Sequence, residues 1–443
     1  MAILSQDEAR AILQKALGFS KADECEVTLT GNVGGNIRYA RNAVSTSGAE
    51  DNTSLAVTSY FGKKSGTATI NEFDEASVQK VVRRAEELAR LAPENPEYLP
   101  MLGPQTYQPS KAFFPSTAGI NPDFRAEAAR KSIEPAAAKN ITAAGYLEDA
   151  AQFQARLNSK GLFGYHRETG LTFSVTMRTA DGTGSGYATA DYNDAGLLDT
   201  GKLSQIALQK AASSVNAKAI EPGKYTVILE PAALVANTDA SLIGALMNAL
   251  DARNADEGRS FLSKKGGGNK RGEKLFDERI TIYTDPLHPA VPTATWSDDG
   301  RPQQKTTWIE KGVVKNLYTS RFWAQKQGIG DIPPPDNFIM EGGTQSVEDM
   351  IKSTPRGILV TRLWYIRPVD PQTLLYTGLT RDGTFYIENG KIKHPVKNFR
   401  FNESPIIMLN NLEALGKPVR VGGNLVPPLK IRDFTFTSLS DAV

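Results

Sequence analysis

The sequence is poor in the residues that most often ligate metals or act as nucleophiles. It has a single cysteine, Cys25, and three widely separated histidines, His166, His288 and His394. None of the histidines has a second one at the close helical spacing that zinc sites use. A lone cysteine cannot form an intramolecular disulfide, and Cys25 lies in an alternating apolar stretch that predicts a buried strand position. The sequence therefore argues against a histidine-based zinc motif, a disulfide scaffold and cysteine–histidine catalysis.

The chain also lacks a strong charge imbalance and any long apolar run. Its formal net charge is +2. No segment approaches the roughly 18 consecutive apolar residues that a membrane-spanning helix needs, and the first residues do not form a secretory signal. The basic segment 264–274, KKGGGNKRGEK, has no interleaved aromatic residues and predicts a solvated loop. These absences favour a protein with neither membrane nor nucleic acid as a partner, and the lack of an internal disulfide in a chain of this size favours the cytoplasm.

With 443 residues, the chain is longer than one hydrophobic core usually supports. The proline-rich segment 92–122 predicts a linker or a wrapping segment, because proline interrupts both helices and central strands. We place domains at 1–105, an N-terminal α+β unit; at 106–222, a central α+β region with a proline-rich entry; and at 223–443, a β-rich unit. The predicted fold class is α+β, with an N-terminal α/β domain and a larger, mostly β C-terminal domain around a buried central helix.

Local patterns predict several elements of the first and third domains. Ser5 and Glu8 form a capping-box pattern for a first helix, and Asp74 caps a second helix that ends near Leu91. Between them we predict separate strands at 25–30, 37–41 and 55–61. Two-residue hairpin turns are predicted within 308–312 and 386–390, and a glycine-rich hairpin at 182–186.

The most informative stretch is Lys224–Arg253, KYTVILEPAALVANTDASLIGALMNALDAR. Its β-branched start predicts a buried strand over 225–229, which Glu230-Pro231 ends. About five turns of apolar helix are predicted to follow, with an inward stripe at Leu242, Ile243, Leu246, Met247 and Leu250. Asn237, Thr238 and Asp239 interrupt the apolar run. This polar patch is expected either to face a cleft and contact a peptide or to cap the helix.

Carboxylates offer the remaining candidates for chemistry. Asp285, Asp298 and Asp299 could meet in a cleft and either hold a hard cation or divide acid and base roles. The alternative is structural, because Ser297-Asp298-Asp299-Gly300 has the composition of a turn whose side chains bind loop amides. We favour the turn, and keep Asp298 and Asp299 as candidate cleft residues.

Several segments, taken in order, resemble the TldD/PmbA (TldE) family of bacterial and archaeal peptide-processing proteins. They span most of the chain and comprise the strand-Pro-helix segment YTVILEPAALVANTDASLIGAL, then GRSFLSKK, ERITIYTDPL, SDDGRPQQKTTWIEKGVVKNLY and YIENGKIKHPVKNFRFNESP. The N-terminal helix and the FGKKSGTATIN hairpin are similar to the family's first domain.

The resemblance implies that the catalytic branch carries His-Glu-x-x-x-His on the central helix and a cysteine near the C-terminus. Two imidazoles and a thiolate would then bind zinc, while the glutamate activates water. Counted from Pro231, the corresponding positions here fall near Asp239, Ala240 and Gly244, and the stretch 419–428 has no cysteine. The chain thus resembles the PmbA/TldE branch, and we expect no cofactor in it and zinc only in a TldD-like partner.

Three functional hypotheses follow. The first is a non-catalytic subunit that pairs with a TldD-like zinc metallopeptidase and helps enclose unfolded or small peptides, for instance by strand addition. The second is a homodimeric peptide-binding protein without a catalytic partner. The third is a hydrolase that uses the aspartates between Asp285 and Asp299.

Overall fold

The computed structural model describes residues 3–235 and 241–440, and it places them in three β-sheets with helices packed against them. The helices are Gln6–Gly18 (α1), Glu75–Leu91 (α2), Pro115–Ala118 (α3), Pro122–Ala137 (α4), Thr200–Ser213 (α5), Pro231–Leu234 (α6), Leu242–Asn248 (α7), Ala252–Asp256 (α8), Arg321–Gln327 (α9), Val347–Lys352 (α10) and Pro405–Asn410 (α11), with a 3₁₀ turn at Ala195–Leu197. Among the described residues, no helix is both long and apolar enough to cross a membrane.

The first sheet is six-stranded and antiparallel, in the order β3-β2-β1-β4-β5-β6. Its strands are Glu24–Ala40 (β1), Ala43–Phe61 (β2), Lys64–Ile70 (β3), Ile141–Asn158 (β4), Phe163–Thr179 (β5) and Ser185–Tyr192 (β6). It therefore joins strands from both sides of the proline-rich segment. Helices α1, α2, α4 and α5 pack on one face of it.

Strands β1 and β2 are continuous where three separate strands were predicted. The predicted breaks contain glycines, which usually weaken strands, but glycine is also used where two chains approach closely. A Cβ at Gly31 would lie 2.1 Å from the Phe153 ring, and one at Gly34 would lie 2.1 Å from the Asp149 carbonyl oxygen. These glycines therefore permit close packing against β4. Arg41 and Asn42, both with positive φ, form the two-residue turn that joins β1 to β2.

The remaining strands form a small sheet and a large sheet in the C-terminal half. The small sheet has the order β10-β9-β8-β11-β20-β19 and contains Ile282–Thr284 (β8), Thr306–Glu310 (β9), Val313–Val314 (β10), Ile339–Met340 (β11), Val419–Val421 (β19) and Asn424–Val426 (β20). The large sheet contains Lys224–Leu229 (β7), Arg356–Val360 (β12), Leu363–Asp370 (β13), Leu375–Thr380 (β14), Thr384–Glu388 (β15), Lys391–Pro395 (β16), Phe399–Glu403 (β17), Leu412–Leu415 (β18) and Leu429–Leu439 (β21).

The predicted hairpin turns are confirmed. Lys311-Gly312 joins β9 to β10, and Asn389-Gly390 joins β15 to β16, with positive φ at both residues of each turn. This is the backbone geometry that two-residue hairpins favour. The glycine-rich hairpin also forms, between β5 and β6.

The buried strand is confirmed as β7, which lies in the middle of the large sheet between β21 and β12. The prediction of one five-turn helix after it is wrong. The chain forms α6, becomes extended at Val235, and begins α7 only after Ser241, whose hydroxyl accepts a hydrogen bond from the Gly244 amide. Helix α7 is buried as expected, with its apolar residues in the core of the C-terminal half. The α+β fold class is confirmed.

Candidate functional site

The face of the first sheet that the helices leave uncovered is polar over its central strands. Side chains alternate between the two faces of a strand, so residues opposite each other in register form rows across a sheet. Four adjacent rows on this face contain polar or very small residues. From one end to the other, the rows are Ser54, Thr30, Gln154 and His166; then Asn52, Asn32, Gln152 and Glu168; then Glu50, Gly34, Ala150 and Gly170; and then Gly48, Asn36, Glu148 and Thr172.

These rows form the floor of two adjoining cavities of about 640 and 340 Å³. Both cavities are lined by Asn32 and Gln152, so together they make one depression, which we call the trough. Gly34 and Gly170 both line the smaller cavity, and a Cβ at Gly170 would meet no atom within 4 Å, so the missing side chain leaves the backbone uncovered there. The trough follows the strands from Thr30 to Asn36, a rise of about 20 Å.

The C-terminal half supplies walls at both ends of the trough. Thr293, Ala294 and Asp336 line the larger cavity, and Arg420 lines the smaller one. The trough therefore lies between the first sheet and the C-terminal half, an arrangement in which ligand sites are common.

The wall at Arg420 is held to the first sheet by a dense set of hydrogen bonds to Asp191 of β6. Arg420 Nε donates to Asp191 Oδ2 at 2.9 Å, and the Gly422 and Gly423 amides donate to the same carboxylate at 2.6 and 2.9 Å. Asp191 is 7% exposed, so its charge needs these donors. The hairpin β19-β20, within the stretch compared above with the cysteine-bearing region, thus positions one wall of the trough.

Asp298 and Asp299 lie in the predicted turn. The Gly300 amide donates to the Ser297 carbonyl, and the Asp299 carboxylate accepts from the Ser297 hydroxyl at 2.6 Å and from Arg301 Nε at 2.9 Å. Burial opposes ionisation of Asp299, but the hydrogen bonds from Arg301 and Ser297 outweigh it and lower its pKa. Tyr107 donates to the Gly300 carbonyl at 2.6 Å, which fixes the turn against the proline-rich segment.

Asp336 is the most perturbed carboxyl of the trough. Its side chain reaches solvent through the cavity, but the surrounding walls withdraw much of the bulk water. This desolvation, and next the negative charge of Asp298, raise the pKa of Asp336 to about 6. Glu168 raises it further, whereas His166, 3.4 Å from Glu168, opposes the rise. The charge of Asp298 thus acts on Asp336, but Asp298 is outside the lining of both trough cavities. Asp285 caps its own loop by accepting from the Leu287 amide.

The three remaining predicted site residues cannot be assigned to the trough or to any other part of the structure. Asn237, Thr238 and Asp239 lie outside the described residues. The trough residues of β1, β4 and β5 were not predicted from the sequence, because each occupies a strand position that ordinarily faces solvent. The sequence feature that could have identified them is the side-chain amide repeated at alternate positions, as in Gln152 and Gln154, close to several strand glycines.

The described residues do not fit the zinc ligand set of the catalytic branch. In α7 the side chains of Leu242, Ile243, Leu246 and Met247 are buried in an apolar core, and Gly244 has no side chain to offer. The hairpin β19-β20 presents backbone amides and Arg420 where a thiolate would be required. Within residues 3–235 and 241–440, no three histidine, cysteine, aspartate or glutamate side chains converge on a common metal position.

Comparison with known proteins identifies relatives over nearly the whole length. The chain is 24% identical to a metalloprotease of Methanothermobacter thermautotrophicus over 62% of either chain. It is 22% identical to the metalloprotease PmbA of Escherichia coli O157:H7 over 97% of this chain and 98% of that one.

Solved structures share the fold. TldE from Thermococcus kodakarensis aligns with a TM-score of 0.85 and 20% identity, covering 96% of this chain and 99% of that one. A putative modulator of a DNA gyrase from Thermotoga maritima aligns with the same TM-score and 17% identity, covering 97% and 100%.

Family models match three consecutive parts of the chain. The PmbA/TldA metallopeptidase domain 1 matches residues 25–89, the central domain matches 120–215, and the C-terminal domain matches 222–438. The resemblance drawn from the sequence is confirmed, and the chain belongs to the TldD/PmbA (TldE) family.

Proposed function

We propose that this chain is the non-catalytic, TldE/PmbA-like subunit of a TldD/TldE-type metallopeptidase in the cytoplasm. Its role is to bind unfolded or small peptides in the trough and to present them to a zinc-bearing TldD-like partner. The trough is the observation that carries the proposal, because it is an open, polar depression of peptide length between two parts of the molecule.

The chemistry of the trough suits an extended peptide. Asn32, Asn52, Gln152 and Gln154 each offer both a carbonyl oxygen and an amide N–H₂, so they can pair with the alternating donors and acceptors of a peptide backbone. Such contacts do not depend on the peptide's side chains. The length of about 20 Å accommodates about six extended residues.

Catalysis is assigned to the partner because the sequence of this chain lacks the zinc ligands of the catalytic branch. Residues 231–250 contain no histidine, cysteine or glutamate, and 419–428 contains no cysteine. Several ligand positions of the catalytic branch are thus replaced together, while the surrounding core and the hairpin β19-β20 are retained. This pattern favours a binding and enclosing role, with the zinc site in the partner.

Co-expression with a His-Glu-x-x-x-His homologue from the same organism tests the proposal. We expect a stable complex, and cleavage of unfolded peptides that requires both chains. Absence of a complex, together with full peptidase activity without this chain, would contradict it. A homodimer that binds peptides and ignores the homologue would favour the stand-alone alternative.

Gly170→Leu tests the trough within that complex. A Cβ at Gly170 would meet no atom within 4 Å, so a side chain can begin there without a backbone clash and extend into the smaller cavity. We expect the complex to form normally and peptide cleavage to fall by about tenfold, which corresponds to about 1.4 kcal/mol. Gly18→Leu is the matched control, because Gly18 also has free space around it but lies at the end of α1. Equal activity of the two variants would remove the trough from the proposal.

A further inference from the structure

Arginine and aromatic side chains stack on each other at β13, the strand at one end of the large sheet. Three guanidinium groups each lie over an aromatic ring, with 3.9–4.3 Å between the guanidinium carbon and the ring centre. The pairs are Arg362 with Tyr187 of β6, Arg367 with Tyr365, and Arg381 with Trp364. We call these six residues the arginine–aromatic patch. The rings of Trp364 and Tyr365 are 5.6 Å apart, so the patch is continuous along β13.

The patch has more positive than negative charge. The buried carboxylate of Asp382 accepts from Arg362 at 2.8 Å and lies 3.8 Å from Arg381. Within residues 3–235 and 241–440, the Arg381 guanidinium donates no hydrogen bond, and Arg367 donates only to the carbonyl of its neighbour Ile366. Stacking uses the face of a guanidinium and leaves its N–H edge available. Arg367 and Arg381 therefore retain donors for an anion.

The positive charges around Arg381 act on one another. Burial lowers the pKa of Arg381, the Asp382 carboxylate opposes this change, and the charges of Arg178 and Arg362 lower the pKa further. Like charges at this distance repel, and a bound anion would relieve the repulsion. The single carboxylate of Asp382 thus compensates the group only in part.

The backbone of β13 turns an aromatic side chain towards solvent. Tyr365 has a φ of 55°, in the left-handed region that a bulky residue rarely adopts. The pairing of β13 with β14 shifts register between Trp364 and Arg367, which places Tyr365 in a bulge. Tyr365 is 48% exposed, and Val369 of the same strand is 54% exposed. Strained backbone of this kind is typical of positions that contact a ligand.

The composition of the patch favours a protein over a nucleic acid as its ligand. Tryptophan, tyrosine and arginine are the residues most enriched in the energetically important parts of protein interfaces. Single-stranded nucleic acid binds by stacking bases on open rings, whereas Trp364 and Tyr365 each already have a guanidinium over one face. The exposed side chain of Val369 adds apolar area that suits another protein.

We propose that the arginine–aromatic patch docks an acidic segment of the TldD-like partner. Carboxylates of that segment bind Arg367 and Arg381, and its apolar side chains pack against Tyr365 and Val369. The excess of positive charge selects a negatively charged surface and repels a basic one. The inference rests on the proposed function and adds to it the surface through which this chain holds its partner.

Titration of the full-length chain into its labelled His-Glu-x-x-x-His homologue measures the docking. Arg367→Glu should raise the Kd by about tenfold or more, because a carboxylate then faces the acidic segment. Arg367 is exposed and bonds only to a neighbouring carbonyl, so the fold does not depend on it. Arg381→Gln should also raise the Kd by about tenfold, through loss of a charge-assisted hydrogen bond. Arg83→Glu is the matched control on the exposed side of α2, and its Kd should stay within about twofold of the wild-type value.

The dependence on salt is a readout that a purely structural role of these arginines would not change. Raising NaCl from about 50 to about 300 mM screens exposed charges and should weaken the wild-type complex. The combined variant Arg367→Gln and Arg381→Gln should lose most of this dependence. An equal dependence in the two proteins would contradict a charged contact at the patch.

Tyr365→Gly separates docking from folding. Glycine adopts a positive φ without strain, so the Tm of this chain should not fall. The exposed ring is lost, so the Kd for the partner should rise by about fivefold. A lower Tm with an unchanged Kd would mean that Tyr365 serves the fold alone.

The outcomes separate this inference from the proposed function. Wild-type affinity in all of these variants overturns the docking surface and leaves the proposed function intact. Failure of the wild-type chain to form any complex with the homologue overturns both. Binding of a labelled oligothymidylate of roughly 15 nucleotides, lost in Arg381→Gln, would assign the patch to nucleic acid and overturn the proposed protein contact.

Discussion

The two faces of the first sheet are built from the same strands but differ in the burial and polarity of their side chains. On the helix-covered face, Leu29, Leu147 and Phe173 are fully buried. On the opposite face, alternate residues of the same strands line the trough. Successive side chains of a strand point to opposite faces of the sheet, so one residue can pack in the core while its neighbour contacts a ligand. The apolar core of the sheet thus lies on one side, which leaves part of the other side open to a ligand.

The covered face also carries a buried ion pair. Arg125 of α4 donates to both carboxylate oxygens of Asp149 in β4, at 2.6 and 2.8 Å, and the two side chains are only 6% and 4% exposed. A buried bidentate pair of this kind is sensitive to the loss of either partner. It fixes the position of α4 on the sheet.

Phe173→Ala compared with its neighbour Thr172→Ala should reveal the largest difference between the faces. Removing the Phe173 ring leaves a cavity in the core and should lower the free energy of unfolding by about 3–5 kcal/mol. Thr172 lines the trough, and its truncation should change stability by less than about 1 kcal/mol. Urea denaturation of both variants measures this. Similar losses would mean that the trough face is also part of the core.

Breaking the buried ion pair should have the next largest effect. Arg125→Ala leaves the Asp149 carboxylate buried without its cation and should cost about 3 kcal/mol. Arg125→Met combined with Asp149→Leu should recover most of that loss, since neither charge is then unpaired. A double-mutant cycle by urea denaturation, with Arg125→Met and Asp149→Leu as its single variants, tests the coupling, and additive losses would contradict it.

Local patterns predicted much of the fold because they arise from short-range physics. Alternation identified the start of β1, Ser5 and Asp74 marked helix starts, and Asn389-Gly390 marked a turn. The single helix after β7 was wrong because apolar periodicity cannot detect competing local bonds. Ser241 caps α7 with its own side chain, and the β-branched Val235 is extended.

The trough could not be predicted from local patterns because it depends on the order of distant strands. Asn32 and Gln152 are opposite each other only when β1 pairs with β4, and Asp336 reaches them only after the C-terminal half docks. A polar residue at an alternating strand position is ordinarily solvent-facing. Which of these positions share a cavity is a property of the tertiary structure.

The docking of the C-terminal half provides a third, smaller test. Arg420→Ala removes the charged donor of Asp191 but leaves the Gly422 and Gly423 amides, so the loss should be about 1–3 kcal/mol. Arg432→Ala is the matched control, because that side chain is 56% exposed and its ion pair should contribute little. Thermal unfolding compares the two variants. An equal effect would show that the hairpin β19-β20 is held by other contacts.

Asp336→Asn should produce the smallest effect on stability, and the size of that effect depends on pH. The pKa of Asp336 is raised from 3.8 to about 6, so the folded protein binds this proton more tightly than the unfolded chain does. Its contribution to stability is therefore complete below about pH 4 and is lost as pH rises through about 6. The variant lacks this titration, so its Tm should rise relative to that of the wild type between about pH 4 and pH 6 and stay above it at neutral pH. An opposite slope would mean that the folded protein stabilises the ionised carboxylate. The charge of Asp336 would then already be compensated by the protein itself, and the contrast between the paired Asp149 carboxylate of the covered face and the destabilised Asp336 carboxylate of the trough would disappear.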